Sequence, residues 1–201
     1  MSTKLIILAV AIIAMGGVAA KKATCVLQVG VTEGKGITGK ITIEENSESG
    51  TTKFMIDIKG VNTTNGSSLK GFHVHQYGKL SEECSAAGGH FNPFNKNHGS
   101  PNDTNRHVGD LGNVIVETDG TIHQTISDQI AKLTGENNIM GKSIVLHQDK
   151  DDLTSQPTGA AGKRLACCLI VESDIGNAYR IKPSVFLSLL LTISMYIFLY
   201  K

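Results

Sequence analysis

Short segments of alternating apolar and polar residues, joined by Gly- and Ser-rich connections, are the feature that most restricts how this chain can fold. In "KFMIDIKG" (53–60), Phe54, Ile56 and Ile58 share one face of a strand, the pattern of a half-buried antiparallel strand. Comparable segments, none with a helical pattern, lie at 25–31, 37–44, 143–148 and 165–171. Many short strands at regular spacing predict an all-β sandwich or barrel.

One longer segment and two polar stretches complete this pattern. Residues 112–127, "GNVIVETDGTIHQTIS", predict a hairpin that turns at Asp119-Gly120. Residues 78–110 and 149–164 contain few apolar side chains, and loops of this length are uncommon in a compact domain unless they are functional or disordered. We therefore expect some additional interaction to order them.

The N-terminus resembles a targeting segment. Residues 1–20 combine a positive charge at Lys4, a short apolar stretch and the small residues 18–20, which is typical of a secretory signal peptide cleaved after Ala20. An uncleaved anchor is the alternative, although the apolar stretch is short for a membrane span. We expect the chain to enter the secretory pathway, with its folded domain at 21–172.

The C-terminus ends in a hydrophobic tail at 184–201, "SVFLSLLLTISMYIFLYK", which carries no charge before its last residue. A short spacer at 173–183, containing small residues, precedes it. This combination favours a glycosylphosphatidylinositol (GPI) signal, in which a lipid replaces the tail and tethers an extracellular protein to the cell surface. A transmembrane helix is the alternative for membrane attachment through this end.

The charge of the mature domain restricts its partners. Loss of residues 1–20 and 178–201 removes four basic residues and no acidic one, so the net charge changes from +1 to −3. A mildly acidic domain without a basic patch predicts no nucleic-acid binding. Sequons begin at Asn62, Asn65 and Asn102, and each is a weak signal for a glycan in the secretory pathway.

Histidines are unusually dense in this chain. Of the seven, His73 and His75 in "GFHVHQYG" (71–78) are separated by one residue, so a strand projects both from the same face. The chain continues with His90, then His98 and His107 at intervals of eight and nine residues, and Asp110 three residues later. A lone surface histidine is usually only solvated, but imidazoles with one carboxylate suit zinc, copper, iron or nickel. A bound metal would also order the polar loop.

These residues belong to blocks that resemble a known family. "GFHVHQYG", "GGHFNP", "HGSPNDTNRHVGDLGNV", "IVLHQDKDDL" and "GKRLACC" are similar, in order, to the successive motifs of the copper/zinc superoxide dismutases. The resemblance covers about residues 23–171. It implies an eight-stranded Greek-key β-sandwich or barrel with two long functional loops.

The resemblance also implies one copper and one zinc per subunit. It assigns copper to His73, His75, His90 and His147, and zinc to His90, His98, His107 and Asp110. It further implies that Asp151 joins a copper-ligand histidine to a zinc-ligand histidine and fixes both rings; alone, Asp151 reads as a solvated loop acid. His123 matches no ligand, and we expect it at the surface.

The implied reaction is the dismutation of superoxide to dioxygen and hydrogen peroxide, by alternate reduction and reoxidation of copper. This activity protects against oxidative damage outside the cell. Arg164 matches the arginine that attracts and orients the anion, and by itself it would read as a surface residue. His90 is implied to leave copper on reduction and to carry a proton, as a general acid.

The four cysteines allow three pairings if all are joined. The resemblance implies the pair Cys84–Cys167. Cys167 and Cys168 are neighbours on a strand and point to opposite faces. We expect Cys25 to pack in the core as a small apolar residue. The state of Cys168 stays open, because a free thiol in a secreted protein is unusual.

The chain departs from the family in two places. The segment between Asp151 and Arg164 is about six residues shorter than usual and lacks the family's paired glutamates and its lysine, so Lys163 is the nearby substitute cation. We expect altered anion guidance with the chemistry intact. Glu172 stands where an apolar residue usually meets the partner subunit, and a buried charge there is costly unless it is paired. The homodimer is therefore an open expectation.

Three other functions are compatible with parts of the pattern. A copper-delivery protein of the same fold would lack the complete set of four copper-binding histidines. A copper-only relative would not need His98, His107 and Asp110. An adhesion module that uses metal only for structure would not need Arg164 beside an open copper position.

Overall fold

A computed structural model describes residues 20–27, 32–63 and 67–173 of the chain. Most of the expected signal peptide, the GPI or transmembrane tail, nearly all of its spacer, and residues 28–31 of the first expected strand lie outside these residues. Within the described part, no helix has the length and apolar character needed to cross a membrane.

Two antiparallel sheets face one another. The strands are β1 (Lys21–Val26), β2 (Thr38–Glu45), β3 (Thr52–Lys59), β4 (Leu69–His75), β5 (Asp110–Ile115), β6 (Ile122–Asp128), β7 (Ser143–His147), β8 (Arg164–Leu169) and β9 (Val171–Glu172). One sheet has the order β6-β3-β2-β1-β9 and the other β5-β4-β7-β8. Apart from these strands, the regular structure of the described residues is one 3₁₀ turn at Ser85–Ala87.

The core lies between the sheets because the strands alternate as the sequence predicts. In β3, Phe54, Ile56 and Ile58 are buried, whereas Asp57 is exposed. The facing sheet contributes Phe72, among others, to the same cluster of buried apolar residues. The burial of these side chains removes apolar surface from water and is the main favourable term in folding.

Strand β4 explains how the histidines leave this core. Phe72 and Val74 face the core between the sheets. His73 and His75 alternate with them, and therefore lie on the opposite, outer face of the four-stranded sheet. The two long loops cover that outer face, so the histidines are buried although they do not belong to the apolar core.

The connections have Greek-key character, as predicted. Strand β6 returns to pair with β3, and β7 returns to pair with β4, so sequentially distant strands become neighbours. The expected all-β sandwich with eight main strands is confirmed, and the two-residue β9 is an addition at one edge.

The predicted hairpin at 112–127 is wrong. The turn at Asp119-Gly120 forms, since Gly120 has a φ of 81° and its amide donates to the Glu117 carbonyl at 2.9 Å. However, β5 pairs with β4, and β6 pairs with β3 in the other sheet. The alternation of apolar and polar residues is compatible with a hairpin in one sheet and with two strands in different sheets. In either arrangement one face of each strand packs on the core.

Two disulfides link the last long strand to the rest of the fold. Cys84 is bonded to Cys167, which attaches the first long loop to β8. Cys25 is buried in the core, as expected, and it is also bonded to Cys168, so the open question of Cys168 is answered by a disulfide. The reason is three-dimensional: β1 and β8 belong to different sheets, and their Cα atoms at these positions are 5.3 Å apart.

Candidate metal centre

Four imidazoles meet on the outer face of the four-stranded sheet. His73 and His75 come from β4, His147 from the end of β7, and His90 from the first long loop, where it forms a β-bridge with His75. All four are buried, and one nitrogen from each lies within 4.8 Å of the others. This group is called the four-histidine cluster below.

His75 and His147 face one another through nitrogens that both carry lone pairs. Their Nδ1 atoms lie 2.9 and 3.4 Å from the carbonyls of Gly88 and Gly162, to which an Nδ1–H would donate. Each Nε2 is then unprotonated, and the two Nε2 atoms are 3.2 Å apart. Two buried lone pairs at this distance repel one another, and a bound cation would satisfy both.

His73 is oriented in the same way by a carboxylate. Its Nε2 lies 2.8 Å from Asp151 Oδ2, which assigns the proton to Nε2 and leaves a lone pair on Nδ1. Nδ1 is buried and has no hydrogen-bond partner among the described residues. His90 Nε2 is likewise buried and unpaired, so two unsatisfied nitrogens belong to this cluster.

A second group shares His90 with the first. Nδ1 atoms of His90, His98 and His107 lie 2.8, 3.0 and 3.1 Å from one oxygen, Oδ1 of Asp110. The other oxygen of Asp110 accepts hydrogen bonds from the backbone amides of Gly99 and His107 at 3.1 and 2.8 Å. This group is called the zinc-type cluster, because three imidazoles and one carboxylate form the closed ligand set of structural zinc.

The outer nitrogens of this cluster are also occupied. His98 Nε2 lies 2.9 Å from Asp151 Oδ1, and His107 Nε2 lies 3.0 Å from the Lys96 carbonyl. The Nδ1 atoms of both rings are therefore free to bind a metal. His98 Nδ1 is buried and makes no hydrogen bond despite its distance of 3.0 Å from Asp110. The donor sets fit two different metals, copper in the first cluster and zinc in the second.

Asp151 connects the two clusters. It is fully buried and accepts from the copper-side His73 with one oxygen and from the zinc-side His98 with the other. Asn113 holds its backbone in place through hydrogen bonds of 2.8 and 2.9 Å. Its position is therefore that of a residue that orients one ligand ring from each cluster.

Burial and charge set the protonation of these rings. Burial, followed by the neighbouring histidines, holds the pKa of His75 and His147 well below the ordinary value of 6.5. Burial lowers the pKa of His90 to about 4. Burial opposes the protonation of His98 too, but the carboxylates of Asp110 and Asp151 beside the ring prevail and raise its pKa to about 9. The carboxylates that attract a proton there would equally attract a metal cation.

Arg164 lies at the edge of the four-histidine cluster. Its guanidinium donates to the carbonyls of Cys84 and Gly88 at 2.5 and 2.6 Å. The Gly88 carbonyl is also the partner of His75 Nδ1, and Arg164 pairs with His147 in the register of β7 and β8, so Arg164 lies beside both residues. Its positive charge helps to lower the pKa of both rings. A half-buried, fixed cation beside these rings can attract and orient a small anion.

Two other basic or histidine side chains lie away from the clusters. Lys163, the expected substitute cation, is exposed and forms an ion pair with Glu33 at 2.6 Å. His123 is exposed, as expected, and its Nδ1 lies 3.3 Å from Asp57.

Sequence reasoning missed several residues that support the site. Arg106 is almost fully buried, ion-paired with Asp128, and donates to the Asp110 carbonyl at 2.9 Å. Gln156 binds the backbone amide and carbonyl of His98 at 2.8 and 2.9 Å. Neither has a pattern that would reveal it in the sequence. Gln156 acts on backbone atoms of a distant residue, and the partner that buries the charge of Arg106 is the distant Asp128.

Known proteins resemble this chain along most of its described length. The model of the copper/zinc superoxide dismutase family matches residues 37–170. A copper–zinc superoxide dismutase of Yarrowia lipolytica is 45% identical over 67% of this chain and 89% of its own length. An extracellular copper–zinc superoxide dismutase of Brugia pahangi is 45% identical over 68% of this chain and 70% of its own.

A solved structure agrees with the fold as well as the sequence. The crystal structure of the clock protein EA4 has a TM-score of 0.67 and 36% identity, and the match covers 79% of this chain and 98% of that one. The family match, the similar enzymes and the two clusters of metal-binding side chains lead to one conclusion: this chain belongs to the copper/zinc superoxide dismutase family.

Proposed function

We propose that this superoxide dismutase, whose cofactors are copper and zinc, holds them in the two clusters described above. Copper is bound by His73, His75, His90 and His147, and zinc by His90, His98, His107 and Asp110. The observation that supports this assignment most directly is the distance of 3.2 Å between Nε2 of His75 and Nε2 of His147 in a buried site. Both nitrogens carry lone pairs, and these face one another. Backbone carbonyls fix both tautomers, so a cation is the partner that satisfies them.

The residues around the cluster then have distinct roles in dismutation. Copper, when bound, supplies the one-electron chemistry that oxidises one superoxide to dioxygen and reduces a second to hydrogen peroxide. Arg164 draws the anion in and orients it. His90 would hold a proton at Nε2 in one half of the cycle and give it to the reduced product in the other, and the second proton of hydrogen peroxide would come from solvent. Nδ1 of that ring lies 2.8 Å from Asp110 Oδ1 in the structure and would be the nitrogen that faces zinc.

The test combines metal analysis with superoxide consumption. The purified protein should contain copper and zinc, lose its activity when copper is removed, and regain it when copper is restored. Equal activity after verified copper removal would contradict the assignment. The alternative of a copper-delivery or adhesion module is not favoured, since the complete four-histidine cluster lies beside Arg164.

The chain is further proposed to be exported and tethered to the cell surface. The signal pattern at 1–20, the two disulfides and the resemblance to an extracellular enzyme support export. The tail at 184–201 and the spacer at 173–183 support a GPI anchor on the domain at 21–172. Release from membranes by a phosphatidylinositol-specific phospholipase C would support the anchor. Resistance, with the tail peptide still present, would favour a membrane span.

A homodimer is proposed on the basis of exposed apolar side chains. Val26 on β1 and Val171 on β9 are 57% and 44% exposed, and Val171 pairs with Thr24 two residues from Val26. Glu172, the residue that raised doubt, is exposed in the single chain. Sedimentation should give twice the chain mass for the wild type and the chain mass for Val171→Lys. A wild-type monomer at micromolar concentration would contradict this proposal.

A further inference from the structure

One surface feature has no role in the metal chemistry. Three Asn-x-Ser/Thr sequons begin at Asn62, Asn65 and Asn102. Asn65 lies outside the described residues, and Asn62 lines two surface cavities and already takes part in an interaction. Asn102 lies on the loop between His98 and His107, which supply two residues of the zinc-type cluster.

We propose that Asn102 carries an N-linked glycan. This inference rests on the proposed entry of the chain into the secretory pathway, where such glycans are attached. It does not depend on the metal assignment, because Asn102 is a residue of neither cluster.

The local backbone presents Asn102 at the tip of a tight turn. The amide of Asp103 donates to the Ser100 carbonyl at 2.9 Å, which places Pro101 and Asn102 at the two central positions. The Asp103 carboxylate accepts from the Ser100 amide at 3.0 Å and closes the turn from the other side. Pro at the second position is favoured in such turns because its φ is already fixed.

The reacting side chain is accessible. Asn102 and Thr104, the two residues that define the sequon, are both exposed. The backbone amide of Asn102 lies 3.4 Å from Ser100 Oγ, but its side-chain amide takes part in none of the hydrogen bonds found between described residues. A bulky glycan on this nitrogen therefore displaces no observed contact and stays in solvent.

The base of the loop is held independently of its tip. Gly99 donates to Asp110 at 3.1 Å, and His98 is bound through its backbone by Gln156. The ring of Pro101 packs against Gly112. A Cβ added to Gly112 would lie only 2.8 Å from the Pro101 ring. None of these contacts involves the side chain of Asn102. A glycan on Asn102 therefore leaves the zinc-type cluster intact.

The modification is a group transfer whose second reactant is an oligosaccharide on a lipid pyrophosphate. The bond between the first sugar carbon and the pyrophosphate oxygen breaks. A new bond forms between that carbon and Nδ2 of Asn102, which loses one proton. The lipid pyrophosphate leaves with the bonding electrons, so no oxidant or reductant is needed.

The test is expression of the full chain in a eukaryotic secretory host, followed by peptide mapping before and after peptide-N-glycosidase treatment. The enzyme should remove a glycan from the peptide that contains Asn102 and convert that residue to aspartate. Asn102→Gln and Thr104→Ala should abolish the modification, and Thr104→Ser should keep it. Asn105→Gln is the matched control, because Asn105 is exposed on the same loop but begins no sequon.

The outcomes distinguish a failure of the glycan site from a failure of the proposed export on which it rests. An unmodified Asn102 in secreted protein that has lost residues 1–20 overturns the glycan site alone. Retention of those residues in a chain that stays inside the cell overturns the proposed export, and the glycan with it. Superoxide-consuming activity and metal content should be the same for Asn102→Gln as for the wild type, since the loop base is untouched.

Discussion

At the scale of single residues, the group that binds one nitrogen of a histidine ring determines whether the other nitrogen keeps a lone pair for a metal. Carbonyls of Gly88, Gly162 and Lys96 occupy the outer nitrogens of His75, His147 and His107. Asp151 does this for His73 and His98, the remaining two rings that belong to a single cluster, and among the described residues it is the one such partner that both clusters share. Substitution of this carboxylate therefore tests the assignment of both sites at once.

Asp151→Asn should weaken both metal sites. An amide in place of the carboxylate cannot accept from both His73 and His98 with charge-assisted hydrogen bonds, so both rings lose their fixed orientation. We expect the affinity for copper and zinc to fall by roughly 10- to 100-fold, as measured by competition with chelators. Asp152→Asn is the matched control because Asp152 is exposed and caps only its own turn. Loss of one metal alone would contradict the bridging role.

Arg164→Gln should slow the capture of superoxide. Removal of the guanidinium beside the four-histidine cluster is expected to lower kcat/KM by about tenfold and to flatten its dependence on ionic strength. Lys163→Gln should change both quantities little, because Glu33 already neutralises Lys163 at the surface. Stopped-flow or pulse-radiolysis assays at several salt concentrations measure both effects. Similar losses for the two variants would show that guidance depends on net charge and not on Arg164.

The sequence predicted the metal-facing residues better than the residues that hold them. The alternation of β4 is enough to place His73 and His75 on one face. The resemblance to a family supplied the rest of the ligands, and the structure brings all of them into the two clusters. By contrast, Gln156 binds the backbone of the distant His98 and Arg106 forms an ion pair with the distant Asp128, and such contacts leave no periodic signal in a sequence.

At the scale of elements, the two long loops are ordered mainly by each other. Gln156, on the second loop (149–164), makes two hydrogen bonds to the backbone of His98 on the first loop (78–110). Asp151, on the second loop, accepts a hydrogen bond from the His98 ring. Between the loops lies a cavity of about 440 Å³, lined by His90 and His107 among others. The second loop thus reaches over one side of the zinc-type cluster although it is shorter than the family's usual loop.

Gln156→Ala should accelerate the release of zinc. The variant removes two hydrogen bonds to His98, each worth about 1 kcal/mol, and we expect roughly tenfold faster transfer of zinc to a coloured chelator. Ser155→Ala is the matched control, since Ser155 bonds Asp152 and does not contact His98. Copper release should change less, because Gln156 contacts no member of the four-histidine cluster. Equal release of zinc from the two variants would contradict this role of Gln156.

The failed hairpin at 112–127 shows what strand patterns cannot resolve. Both strands and the turn between them were recognisable, but the choice of sheet was not. Pairing partners depend on long-range contacts, such as the bond from the Val61 amide to the Gly120 carbonyl at 3.0 Å. A sequence window around the turn contains no information about Val61.

At the scale of the whole molecule, the cystine Cys25–Cys168 joins the two sheets through the core. Replacement of both residues by alanine should lower the free energy of unfolding by about 2–4 kcal/mol, because the unfolded chain regains its freedom. Denaturant unfolding of the metal-loaded protein measures the difference. The activity per bound copper should stay near the wild-type value, since neither residue belongs to a cluster. Unchanged stability would mean that packing alone holds the sheets together.

Acid should destabilise the metal-free protein. Burial lowers the pKa of His73, His75 and His147 from 6.5, and that of His90 to about 4. Between these limits the unfolded chain binds more protons than the folded one, so the free energy of unfolding falls as the pH falls from 6.5 towards 4.

One residue behaves differently, but at higher pH. The pKa of His98 is raised to about 9, so its contribution is fully present below pH 6.5 and is lost as the pH rises through 9. Its contribution is therefore constant between pH 6.5 and 4, and the Tm of the metal-free protein should fall on acidification through this range. Calorimetry at several pH values measures this. His123→Gln is the control, because that ring is exposed and its loss should leave the profile unchanged. A Tm that is constant or rises towards pH 4 would contradict the prediction.

The neighbouring positions of Cys167 and Cys168 affect how well the protein withstands cleavage by proteases outside the cell. The two cystines are nested, since the span from Cys84 to Cys167 lies inside the span from Cys25 to Cys168. A protease that cuts any single peptide bond between Cys25 and Cys168 therefore produces two fragments that remain covalently joined. Both exposed loops over the metals lie within this span, so a nicked chain cannot lose either piece by dissociation.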